Sequence, residues 1–221
     1  MDKLVGDGED KVYSFPRLKS LMLKFLNITH FASKSETELR FLALEKLDMS
    51  CCNKIQSFYS GPFTTPKLKQ VTLLSCQNLQ YLLSNEMNDN VRELPSLEIV
   101  QIWERPQVLS FSSEPLLSPK LHDVILINCP KMTRFLRGDP NLDDILDLPS
   151  LEIVYIDGCS SLHSFSSGGI RTPNLCNLYV DVKDYSKRAN EELEFLLENL
   201  YKLHRRYIYL LVIITFTQTK F

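Results

Sequence analysis

The sequence predicts an α/β solenoid, a stack of coils that each contribute one short strand to a parallel sheet. Three observations predict it. Seven segments share one apolar frame, L-x-x-[LV]-x-[LIVM]; they recur at intervals of 24 to 30 residues; and the stretches that follow them repeat as well. In each L-x-L alternation the two apolar side chains point inward from a strand and the residues between them point outward. A single coil cannot bury that inward face alone, so neighbouring coils must stack on it.

The segments are PRLKSLMLKFL from Pro16, ALEKLDMSCC from Ala43, PKLKQVTLLSC from Pro66, PSLEIVQIWER from Pro95, PKLHDVILINC from Pro119, PSLEIVYIDGC from Pro149 and PNLCNLYVDV from Pro173. Their frames open at Leu18, Leu44, Leu68, Leu97, Leu121, Leu151 and Leu175, separated by 26, 24, 29, 24, 30 and 24 residues. That frame and period are those of leucine-rich repeats. Proline ahead of the frame holds the chain extended as it approaches the strand and removes a donor that the approach does not need. The tails IQSFYSGPFTTP, VLSFSSEPLLSP and LHSFSSGGIRTP begin at Ile55, Val108 and Leu162, 53 and 54 residues apart, as if a two-repeat unit had been duplicated.

The expected shape is a horseshoe with short parallel strands on its concave face. Its convex side is expected to be irregular or helical, with helical turns or loops at Leu82 to Leu94 and Leu136 to Leu148. We place a polar, disordered or truncated N-terminus at residues 1–14, about seven repeats at 15–182, and a C-terminal cap and apolar tail at 183–221. The cap is expected to be an amphipathic helix, because Leu193, Leu196, Leu197, Leu200 and Leu203 fall on one helical face among Glu191, Glu192, Glu194 and Glu198. The run YIYLLVIITF, Tyr207 to Phe216, spans ten residues, about half of the ~20 that a bilayer crossing needs. We expect no membrane span.

Net charge is −2, which gives no electrostatic case for nucleic acid. The N-terminus lacks the apolar stretch of a secretory signal, and six cysteines without one point to free thiols in a reducing, cytoplasmic setting. Cys52, Cys76, Cys129 and Cys159 hold the same frame position, the turn after the strand. We read them as a structural ladder and expect no metal, since no C-x2-C pair occurs. Asp139, Asn141 and Asp143 resemble the opening of a calcium loop, but Asp144 stands where its glycine belongs and Ser150 where its glutamate belongs. His30, His122, His163 and His204 form no HExxH motif. There is no G-x-S-x-G, phosphate loop or dinucleotide fingerprint either, so neither catalysis nor a cofactor is expected.

The outward residues are therefore the informative surface. At the third, fifth and seventh frame positions the early coils carry Lys24 and Lys46, and the later ones carry aromatic residues and aspartates. Gln101, Trp103, Asp123, Tyr155, Asp157, Tyr179 and Asp181 form the candidate partner-binding face. Rigid exposed aromatics of this kind anchor interfaces, although the same rings could simply pack along the sheet.

The phrases FPRLKSLML, SPKLHDVILINCPKMTRF and LPSLEIVYIDGCSSLHSF resemble the repeats of plant intracellular coiled-coil nucleotide-binding leucine-rich-repeat receptors, the disease resistance proteins. The resemblance covers Phe15 to Asp181. It implies a region that contacts a pathogen effector or a host protein and holds a nucleotide-binding domain at rest. Neither that domain nor the signalling coiled coil is present in this sequence, so only sensing is carried over, from a fragment or a truncated product. The alternative is the substrate-recognition array of an F-box ubiquitin-ligase adaptor, whose repeats are more regular than these.

Overall fold

The structure is a computed structural model that describes residues 3–5, 12–32, 37–59, 61–83, 92–113, 116–136, 146–162, 164–165 and 170–180. It is a parallel-strand β-solenoid. Each coil opens with a β-turn in which the frame leucine's amide donates to the carbonyl three residues back: Leu18 to Phe15, Leu44 to Phe41, Leu68 to Thr65, Leu97 to Leu94, Leu121 to Ser118, Leu151 to Leu148 and Leu175 to Thr172. In six of these seven turns a proline follows the acceptor. Its fixed φ suits the second position of such a turn.

The strands that follow are Ser20–Lys24, Lys46–Ser50, Gln70–Leu74, Ile99–Trp103, Asp123–Ile127, Ile153–Asp157 and Asn177–Val180. They lie in chain order in one seven-stranded parallel sheet. Equivalent frame positions pair at every step, as in Leu47 with Val71, Val100 with Val124 and Leu126 with Ile156. The inward residues from Leu47 through Leu126 are sealed from solvent and form one continuous core.

After each of the first six strands the eighth frame residue turns left-handed: Phe25, Cys51, Ser75, Glu104, Asn128 and Gly158 have φ between 50° and 62°. Five of the six are not glycine, so the stacked turn imposes a backbone that L-residues resist. This kink lets the ninth residue point inward. A second turn then closes from Cys76 to Leu79, Arg105 to Val108, Cys129 to Met132 and Cys159 to Leu162.

The opposite side is built from fragments. Ser57–Tyr59 pairs with Tyr81–Leu83, Arg92–Glu93 with Leu116–Leu117, and Leu146–Asp147 with Ile170–Arg171. Val12–Ser14, Glu38–Arg40 and Phe63–Thr64 form a three-stranded piece, and Lys3–Val5 pairs with His30–Ala32. The chain thus enters strand structure ahead of the expected start of the array at residue 15. Phenylalanines supply the packing on this side: Phe111 and Phe165 of the repeated tails stack on Phe135 between them, with centroids 5.5 and 4.8 Å apart. Phe31, Phe58, Phe63, Phe41 and Phe15 form a second cluster at the other end.

The expected α/β character needs correction. Among the described residues there is no helix, and the side opposite the sheet carries short strands and turns instead. The connections expected to be helical turns or loops at Leu82 to Leu94 and Leu136 to Leu148 begin or end, where described, in strands such as Tyr81–Leu83, Arg92–Glu93 and Leu146–Asp147. Two β-turns and a five-residue strand use up most of each coil. What remains pairs with the coil beside it more readily than it nucleates a helix, whose first turn is costly. The expected capping helix, the apolar tail, His163 and the acidic loop at Asp139, Asn141 and Asp143 lie outside the described residues. No described helix is long and apolar enough to cross a membrane.

Candidate functional site

Alternation along seven registered strands produces a grid of outward side chains. One row runs Ser20, Lys46, Gln70, Ile99, Asp123, Ile153 and Asn177; the next runs Met22, Asp48, Thr72, Gln101, Ile125, Tyr155 and Tyr179. The third runs Lys24, Ser50, Leu74, Trp103, Ile127 and Asp157. Six of the seven expected partner-binding residues lie on this grid: Gln101, Trp103, Asp123, Tyr155, Asp157 and Tyr179. Asp181 falls outside the described residues.

Tyr155 and Tyr179 stack face to face with ring centroids 4.4 Å apart and planes 7° off parallel. Both are half-buried, so the rings pack along the sheet and still present their outer edges. Trp103 stands between Leu74 and Ile127 and is 40% exposed. Asp123 pairs with His122, Nδ1 to Oδ1 at 3.0 Å. Ile99, Ile125, Ile127 and Ile153 fill the grid between the aromatics. The frame already placed these isoleucines outward. They escape notice because isoleucine in a strand reads as core.

Behind the grid the cysteine ladder forms as expected. Cys52 Sγ donates toward the carbonyls of Leu23 and Ser50 at 3.5 and 3.4 Å, and Cys129 Sγ toward those of Ile102 and Ile127 at 3.8 and 3.5 Å. Cys52 N–H donates to Cys76 Sγ at 3.1 Å, which links adjacent coils. Its hydrogen bond with the Cys159 side chain, together with burial, raises the Cys129 thiol above the usual range and favours its protonated form. Among the described residues none of the six cysteines forms a disulfide, and no cluster of His, Cys, Asp and Glu could hold a metal ion.

One ladder position breaks the pattern. In the fourth coil the ninth residue is Arg105, fully buried between the Cys76 and Cys129 coils. Its Nη2 donates to the Met49 carbonyl at 3.1 Å, two coils back, while Nε and Nη1 find no partner among the described residues. Burial pushes the guanidinium down to about 9, partly offset by Cys129, Cys52 and Cys51 nearby. The signal for it lies in the ninth residues of the coils in order, Leu26, Cys52, Cys76, Arg105, Cys129 and Cys159.

The grid combines aromatic, aliphatic and acidic side chains on a rigid backbone, an arrangement suited to holding a surface. No family model, curated protein or solved structure matches this chain.

Proposed function

We propose that this chain is a leucine-rich-repeat array whose outward sheet face binds a protein partner and carries no catalysis. The observation that carries the reading is the grid itself. Trp103, the Tyr155–Tyr179 stack and four isoleucines share one registered surface, flanked by Gln101, Asp123 and Asp157. Large preordered side chains lose little entropy on contact and dominate interface energies. Six cysteines without a disulfide among the described residues are consistent with a reducing, cytoplasmic setting.

The resemblance to plant disease resistance receptors supports a sensing role in defence, with a pathogen effector or a host protein as the partner. A nucleotide-binding domain on a longer chain would be a second, resting-state partner. The test is a triple substitution, Trp103→Ala, Tyr155→Ala and Tyr179→Ala, in pull-downs against candidate effectors and a separately expressed nucleotide-binding domain. The expected outcome is at least a tenfold loss of binding with an unchanged cooperative melt. Undiminished binding by a folded triple variant would place the partner elsewhere.

A further inference from the structure

The same face is electrically divided. At the second, third, fifth, seventh and eighth frame positions, the first three coils carry Lys19, Lys24, Lys46 and Lys69 against Glu45 and Asp48. Of these, Lys69 and Glu45 already pair at 3.4 Å. The next four coils carry Glu98, Glu104, Asp123, Glu152 and Asp157 at those positions and, among the described residues, no lysine or arginine. The second-position backbone is continuous across this boundary, running from Lys69 through Glu98 and His122 to Glu152 by hydrogen bonds of 2.8 to 2.9 Å. The acids therefore stand beside the aromatics on one rigid surface. Trp103 and Tyr155 belong to coils that carry these acids, and Tyr179 stacks on Tyr155 from the next coil.

We infer that the fourth to seventh coils receive a basic protein segment in which arginine or lysine alternates with apolar side chains. This rests on the reading of the grid as a protein-binding face and names the chemistry of the partner. An arginine on such a segment would meet carboxylates at Asp123, Glu152 or Asp157 and aromatic edges at Tyr155 and Tyr179. A guanidinium satisfies both, forking onto a carboxylate and lying against a ring. Isoleucines 99, 125, 127 and 153 would take the apolar side chains between. An acidic partner, or a nucleic acid, would set like charges against five carboxylates on this surface and be rejected.

The experiment uses the full chain and two labelled peptides, one alternating arginine with leucine and one alternating glutamate with leucine. Fluorescence anisotropy is expected to show binding of the arginine peptide at least tenfold tighter than the glutamate peptide. That preference should shrink as salt rises from 50 to about 500 mM, because exposed charges are screened. The charge reversal Asp123→Lys, Glu152→Lys, Asp157→Lys should abolish the preference, while Lys46→Glu with Lys69→Glu should leave it within about twofold. Circular dichroism melts check that each variant folds. Equal binding of both peptides, or a preference that survives reversal in a folded variant, overturns the inference. If the aromatic triple variant loses partner binding while the acidic reversal does not, the binding face stands and the basic partner falls. If neither loses it, both fall.

Discussion

The two sides of the solenoid are held together differently. On the sheet side the coils present equivalent strands of five residues, four in the last, in one register, and the ladder runs unbroken through seven strands. On the opposite side the backbone pairing breaks into two- and three-stranded pieces, and stacked phenylalanines maintain continuity within each end. The coil lengths of 24 to 30 residues account for the contrast. A fixed frame holds the strands in step, so every change of length must be absorbed on the far side, where backbone register is lost and side-chain packing replaces it. A binding grid needs constant spacing, and only the sheet side provides it.

If aromatic packing carries the far side, removing one ring from it should cost as much as a cavity in the main core. Phe135 is fully buried between Phe111 and Phe165. Phe135→Ala is expected to destabilise the array by about 3–5 kcal/mol, from lost burial and the cavity left behind. Urea denaturation followed by circular dichroism would measure it. A loss below about 1 kcal/mol would mean that the far side is slack, with the sheet carrying the stability.

The next effect is smaller and of opposite sign. Arg105 places a guanidinium, bonded through Nη2 to the Met49 carbonyl, inside an otherwise apolar and thiol ladder. Buried charges of this kind are often more costly than apolar residues of similar volume. Arg105→Met is expected to stabilise the protein by on the order of 1–4 kcal/mol near neutral pH. Burial holds the folded-state value at about 9, well below that of a free guanidinium. Below pH 9 both folded and unfolded chains carry the charge and the full penalty applies. Above about 9 the folded state sheds its proton while the unfolded chain keeps it, and the penalty fades as pH rises. The stability gap between variant and parent should therefore narrow from pH 7 to pH 10. A variant less stable than the parent would instead make the bond to Met49 a clamp across coils.

These differences also explain what could be read from the chain in advance. The apolar frame specified the sheet, its order and its outward residues, because a period of two within a repeat leaves no freedom: a slip of one residue would turn Leu47 or Val100 to solvent. The cysteine position was legible for the same reason. Arg105 was not, since a charged residue at a buried site contradicts the usual distribution. The far side was least legible. Strands such as Phe63–Thr64 or Ile170–Arg171 are too short to show a period, and their partners are set by stacking between coils and not by local sequence. The left-handed turns were hidden too, because only Gly158 among six positions advertises that conformation.

That last position offers the finest probe of how strictly the sheet side keeps its coils alike. Gly158 has a φ of 62°, and a Cβ there would come within 2.3 Å of Asn128 Oδ1 and 3.3 Å of Asn128 Cα. Gly158→Ala is therefore expected to cost roughly 1–2 kcal/mol, part from the left-handed backbone and part from the contact. The two parts separate in a double-mutant cycle with Asn128→Gly, which removes the offending side chain and also relieves the left-handed strain at the neighbouring coil. In that background the same alanine should cost only the backbone share, about 1 kcal/mol. An undiminished cost would mean that the contact is absorbed by rotation of Asn128, leaving the repeated backbone turn as the whole of the penalty. A cost near zero in both backgrounds would show that the coil can leave the left-handed turn without disturbing its neighbours, and the uniformity of the sheet side would then owe nothing to that turn.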